Sequence, residues 1–296
     1  MNIMIDEKSG GMAFWSGITD VPRDTVLGVA TQIGIEKYVP EAPPVSTALY
    51  VAMEEFISTT FGKRRHQPLR VLRTQTPRTF EAVRSIRGDD KNEHKFLFSA
   101  KVDDQGGVTV LETNGFRQVD DNGVTFSDDY RLRHELQHMV NKQLTILPGP
   151  TVTQILCKGL KRWGCQCMND RGGLWFLPLD VVPHYRTWSE GLAHTGCRFT
   201  HCEVQVSHNP EFVEHLLDEL RAEVVKGLGE ITEDMLSAEG GMQDRSIQSR
   251  LLKTQAFLDK IAKYEGITGV TLTDLRAAAE QTKQALGVQK LLASSL

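Results

Sequence analysis

The sequence predicts an α+β protein, and three of its features carry that prediction. Between residues 69 and 126 apolar residues recur at every second position and are separated by turn-forming clusters, the pattern of an antiparallel meander. On either side of that stretch the apolar period is helical. Residues 148–230 then order their elements α-β-β-α-β-α, which predicts a second, small α+β sandwich with helices on one face of an antiparallel sheet. A chain of 296 residues has the length of about two domains. The expected division is a flexible N-terminus (1–19), a helical pair with an antiparallel sheet and a long helix (20–147), a small α+β domain (148–230) and a helical C-terminal arm (231–296).

Residues 1–17 mix Gly, Ser and apolar positions without a period and are expected to fray. Asp20 is placed to cap a helix with Pro22 in its first turn. Val26, Leu27, Ala30 and Ile33 recur at helical spacing until Gly34. After the linker prolines Pro40, Pro43 and Pro44, Ser46 caps a second helix with Leu49, Ala52, Met53, Phe56 and Ile57 on one face. Strands follow at 69–74, 80–87, 95–102, 108–112 and 116–119, the last returning through 124–126 across Asn122-Gly123, a strong hairpin signal. Ser127 begins a long helix that Pro148-Gly149-Pro150 ends.

In the second sandwich Val152, Ile155, Leu156, Leu160 and Trp163 form a helical stripe, and strands at 165–168 and 174–177 flank a Gly-containing turn. A helix over 181–193 leads to a strand over 198–206 with Phe199, Cys202, Val204 and Val206 as its apolar positions. Pro210 opens a helix that turns Phe212, Leu216, Leu217, Leu220 and Val224 inward. In the C-terminal arm Ile247, Leu251, Leu252, Phe257, Leu258 and Ile261 make an apolar stripe, interrupted at 266–269 before Thr271 or Thr273 restarts a helix. This predicts a helical hairpin that packs on the body or on another copy of the chain. The run Leu160-Lys161-Arg162-Trp163-Gly164, followed by Arg171-Gly172-Gly173-Leu174-Trp175-Phe176-Leu177-Pro178, resembles a strand of uncharacterised bacterial and phage proteins. That resemblance implies a prokaryotic or viral context and carries no catalytic residue.

Composition narrows the function classes. With 40% hydrophobic residues, 24% charged and a net charge of -4, the chain has ordinary globular usage. No apolar run approaches the ~18 residues of a membrane span. The start has no basic-then-apolar leader and five cysteines suggest no disulfide framework, so the expected location is the cytoplasm. No G-x-x-x-x-G-K-[ST] loop, no G-x-G-x-x-G turn after a strand and no G-x-S-x-G elbow occurs, which disfavours an ordinary nucleotide enzyme or hydrolase.

One motif points to chemistry. His134-Glu135-Leu136-Gln137-His138 resembles the zinc metalloprotease signature, in which two histidines four apart on a helix hold zinc and the Glu polarises a bound water. The resemblance covers these five residues. It implies His134 and His138 as metal ligands, Glu135 as catalytic base and zinc as cofactor. Arg131 and Arg133 bring charge of the wrong sign for a dication, and no Gly-x-x-His continuation follows. Cys165, Cys167, His194, Cys197, His201 and Cys202 form a second group of soft ligands, but their spacing on strands reads better as buried thiols.

The charge distribution is uneven. Between residues 62 and 87 lie Lys63, Arg64, Arg65, Arg70, Arg73, Arg78, Arg84 and Arg87 against one acid, Glu81. Residues 88–130 hold ten acids against four bases. If Leu69, Val71, Phe80 and Val83 mark the buried face, Arg70 and Arg84 share the solvent face. The expectation is therefore a non-enzymatic interaction or assembly factor whose basic hairpin contacts an acidic protein surface or a nucleic-acid backbone. No cofactor is expected in that reading, and the C-terminal helices serve homo-oligomer or partner assembly. The alternative is the zinc-dependent metalloprotease.

Overall fold

The computed structural model describes residues 9–61, 69–87, 92–113, 129–169, 173–206, 209–237 and 243–293. Its elements begin with β1 (Ser9–Ser16), β2 (Val21–Pro22), α1 (Arg23–Gln32) and α2 (Val45–Phe61). There follow β3 (Leu69–Arg73), β4 (Thr79–Arg87), β5 (Asn92–Val102), β6 (Val108–Thr113), α3 (Asp129–Thr145) and β7 (Ile146–Leu147). The chain continues through α4 (Gly149–Arg162), β8 (Gln166–Cys167), β9 (Leu174–Pro178), α5 (Val182–Leu192) and β10 (Arg198–Gln205). It closes with α6 (Pro210–Ser237), α7 (Asp244–Thr268) and α8 (Thr273–Ala293). The fold is α+β with antiparallel sheets, as the sequence predicts. Two compact units make it up: one comprises Asp20–Gly28 and Val39–Thr151, the other the segment up to Thr19, Val29–Tyr38 and the chain from Val152 onward. Among the described residues no helix is long and apolar enough to cross a membrane.

In the first unit β3, β4, β5 and β6 pair in sequence order as an antiparallel meander. Helices α2 and α3 bury Ala48, Leu49, Ala52, Met53, Phe56, Ile57, Leu136 and Val140 with Val71, Phe80, Ala82, Phe98 and Ala100 of the sheet. Phe56 meets Phe98 edge-to-face at 5.8 Å between ring centroids, and complete burial of a ring such as Phe98 contributes roughly 1.5–3 kcal/mol. The β5–β6 turn is built by Asp103, whose Oδ1 accepts the N–H groups of Gln105 at 2.9 Å and Gly107 at 2.7 Å. Gly106 takes φ +83° there, a conformation that favours glycine. Asp20 does not cap α1. Its Oδ1 accepts the Gly149 N–H at 3.3 Å and its carboxylate pairs with Lys142 at 3.2 Å, while Val21–Pro22 form a short ribbon with β7. The expected strand at 116–126, with Asn122-Gly123, lies outside the described residues.

The second unit corrects the reading of the N-terminus. Residues 9–16, expected to fray, form β1, an inner strand of the sheet β10-β1-β9-β8. Gly10 is required there: a Cβ on it would stand 2.6 Å from the Phe176 ring and 2.7 Å from the Leu177 carbonyl oxygen. Register pairs Met12 with Phe176 and Ala13 with Trp175, so alternate residues face opposite layers. Phe176 packs on Phe212 and Tyr264 of α6 and α7. On the other face the Tyr185 hydroxyl of α5 donates to the carbonyls of Phe14 and Thr200, at 3.0 and 3.1 Å. Helices therefore cover both faces, where the sequence pattern places them on one.

Helices α6, α7 and α8 share one core with this sheet, in which Leu216, Leu220, Val224, Ile247, Ile261, Tyr264, Leu275 and Leu286 join Phe176 and Val206. The predicted C-terminal hairpin is α7–α8. Gly269, at φ +73°, caps α7, and Glu265 Oε1 accepts the Leu272 N–H at 2.7 Å. Leu252, expected on the apolar stripe, is exposed. Cys202, read as core, is also exposed, because β10 is an edge strand covered only in part.

Candidate binding surfaces

Among the described residues the basic side chains of the β3–β4 hairpin do not share one face. The β3–β4 register sets Leu69 opposite Arg84, Arg70 opposite Val83, Val71 opposite Ala82 and Arg73 opposite Phe80. Residues directly opposite share a face. Arg73 and Arg84 thus belong to the parity of Val71 and Ala82, the face covered by α2 and α3, while Arg70 belongs to the other with Leu72, Glu81 and Val83. The expectation that Arg70 and Arg84 share the solvent face is overturned, because it placed Val83 on the same side as Phe80, whereas consecutive strand positions alternate. Arg78, in the β3–β4 turn with φ +57°, pairs with Asp104 of the β5–β6 turn. An exposed pair of this kind contributes about 0–1 kcal/mol. Lys63, Arg64 and Arg65 lie outside the described residues. Arg87 ends β4.

What remains is an edge. Among the described residues β3 pairs on its β4 side alone, and Arg70, Leu72 and Arg73 are exposed along it. Such an edge offers main-chain N–H and C=O groups in register with charged side chains on both faces.

His134-Glu135-Leu136-Gln137-His138 lies on α3, as the motif requires. Leu136 is completely buried in the core. His134 and His138 are exposed, and Glu135 Oε1 accepts from Arg131 Nε at 3.3 Å one turn earlier. Gln137 is bound into the fold: its Oε1 accepts the Val108 N–H at 2.8 Å and its Nε2 donates to the Gly106 carbonyl at 2.8 Å. Arg133 Nε donates to the Val108 carbonyl at 2.9 Å. Among the described residues no three His, Cys, Asp or Glu side chains converge as metal ligands.

The second soft-ligand group is likewise dispersed. Burial pushes the Cys165 thiol up to about 12, against the opposing charges of Lys263 and Lys260. Cys167 Sγ donates to the Asn169 carbonyl, Cys197 Sγ lies 3.6 Å from Thr19 Oγ1, and His201 Nε2 accepts from Arg186 Nε.

The second unit also holds a groove of about 740 Å³ that the sequence reading does not anticipate. It is bounded by the C-terminal end of α4, the edge strand β8, and helices α6 and α7. Its lining includes six cations, four carboxylates and the aromatic residues Trp163, Trp175 and Phe257. Gly227 lets α6 approach the Phe257 ring, since a Cβ there would stand 2.3 Å from it. Sequence inspection misses the groove because its walls come from five elements, β9 with Trp175 among them, spread between residues 161 and 263.

The chain matches no protein-family model, no curated protein and no solved structure.

Proposed function

We propose that the protein is a non-catalytic binding protein that takes an extended acidic protein segment along the β3 edge. The observation that carries this reading is the edge itself, with exposed Arg70, Leu72 and Arg73 and pairing on one side among the described residues. A peptide added beside β3 gains main-chain hydrogen bonds, while its alternating side chains reach arginines on both faces of the sheet. Guanidinium groups bind carboxylates in a bidentate geometry, which suits an Asp/Glu-rich segment. A nucleic-acid backbone would require those arginines on one face, and the register separates them. Helices α6–α8, where Leu236, Leu252 and Leu291 are exposed, serve in the same reading as the element for assembly with a partner or a second copy.

Fluorescence anisotropy with a labelled Asp/Glu-rich decapeptide and a labelled DNA duplex tests it. The expected result is saturable binding of the peptide, weakened by about tenfold or more in the Arg70→Glu/Arg73→Glu double variant. Tighter binding of the duplex, with a steep linear dependence on log salt, replaces the reading by nucleic-acid contact. Peptide binding that is unchanged in the double variant removes β3 as the surface.

A further inference from the structure

The groove of the second unit has a composition that the β3 edge does not explain. Three of its lysines are committed to carboxylates: Lys253 to Glu230 at 3.1 Å, Lys260 to Glu223 at 2.9 Å, and Lys263 to Asp180 at 2.9 Å. Lys161 and Lys226 line the same groove, are exposed, and have no ion pair among the described residues. Glu219 and Asp259 also line the groove without an ion pair among the described residues, so its six cations against four carboxylates leave a net charge of +2, which favours an anion. The lining of the groove is not plain lysine surface. Trp163, half-buried, presents a planar ring, and Gln166 of β8 is only 2% exposed, yet its Oε1 has no hydrogen-bond partner in the structure. A buried amide oxygen left unpaired calls for an N–H donor. The amide is otherwise fixed, because Gln166 Nε2 donates to the Cys167 carbonyl at 3.1 Å. The volume falls within the range of about 300–1,000 Å³ that small-molecule sites occupy.

We propose that this groove binds a nucleoside phosphate, with the base against Trp163, an N–H of the base directed to Gln166, and the phosphate between Lys161 and Lys226. A planar heteroaromatic ring satisfies the tryptophan, an exocyclic amine satisfies the orphaned oxygen, and a phosphate satisfies the two free lysines. The missing phosphate-binding loop and dinucleotide fingerprint exclude a site built on a glycine-rich backbone cradle. They leave open a side-chain site of this kind. The same chemistry is presented by a free nucleotide and by one residue of a single strand, where aromatic stacking with lysine contacts is the usual mode.

The test is a titration of intrinsic tryptophan fluorescence on the full chain with ATP, a ten-nucleotide deoxyadenosine strand and inorganic tripolyphosphate, repeated by calorimetry. The expected result is saturable quenching by ATP or by the strand, weakened about tenfold or more in Lys161→Glu and in Lys226→Glu. Loss of the quench in Trp163→Phe is also expected. ATP bound as tightly as the strand identifies a free nucleotide as the ligand, and a much tighter, salt-sensitive strand identifies single-stranded nucleic acid. Absence of quenching and heat with all three probes up to about 5 mM overturns the proposal. Tripolyphosphate bound as tightly as ATP, or affinity unchanged in both lysine variants with far-ultraviolet circular dichroism preserved, overturns it as well.

Discussion

Gln137 holds α3 to the β5–β6 turn through two hydrogen bonds of 2.8 Å, one accepted from Val108 and one donated to Gly106, while His134 and His138 in the same motif are exposed. Truncating Gln137 to Ala leaves a main-chain donor and an acceptor of the turn without their partner, a loss of about 1–3 kcal/mol. His134→Ala removes an exposed ring and is expected to change stability by less than about 0.5 kcal/mol. Urea midpoints of the two variants check the contrast, and a His134→Ala variant as unstable as Gln137→Ala would show the imidazole engaged in the fold. The spacing of the motif was legible in the sequence, and so was its place on a helix. What its members touch was not, since the partners of Gln137 lie about thirty residues earlier in the chain, in the β5–β6 turn and at the start of β6.

At the scale of elements, strands were legible where alternation and turn chemistry coincide. The β3–β6 meander follows the apolar alternation, with Asp103 and Gly106 making the turn their types favour. Strand β1 was hidden because it is flanked by strands on both sides and has layers on both faces, so Ser-Gly-Gly-Met-Ala-Phe-Trp shows no period and its glycines read as flexibility. The α7–α8 turn offers a titratable test. The Leu272 N–H holds the Glu265 carboxyl below the ordinary carboxylate range, Arg276 adds to that effect, and partial burial works against both. A folded value below the unfolded one of about 4.3 means the contribution is present above that pH and is lost as pH falls through the folded value. Wild-type protein is therefore expected to be more stable than Glu265→Gln at pH 6, with the gap closing as pH drops below about 4. Urea unfolding across that range measures it, and a gap that is constant with pH would remove the charged carboxylate as its source.

At the scale of the molecule, the length of the chain suggested about two domains, and its change of period set a stretch of strands between helices. The sequence concealed that α1 and α4 each contribute to both units, and that the C-terminal helices are part of a core rather than an arm. The proposed surfaces follow the same rule: Arg70 and Arg73 are neighbours in sequence and are separated by strand parity, while Lys161 and Lys226 are distant in sequence and line one groove. Each unit is held by its own apolar cluster, one centred on Phe98, Leu49 and Leu136, the other on Phe176, Leu220 and Tyr264. Separate cores predict separable unfolding, because core substitutions act on the cluster that loses the packing. Phe98→Ala, at a completely buried ring, is expected to destabilise the meander unit by about 3–5 kcal/mol. Leu220→Ala, equally buried, is expected to destabilise the other unit by about 2–5 kcal/mol. In scanning calorimetry each variant should lower one transition by roughly ten degrees or more and leave the other near its wild-type position. A single transition that both variants shift together would show that the shared helices α1 and α4 couple the two cores into one cooperative fold, and binding at the β3 edge would then be felt in the groove unit as added stability.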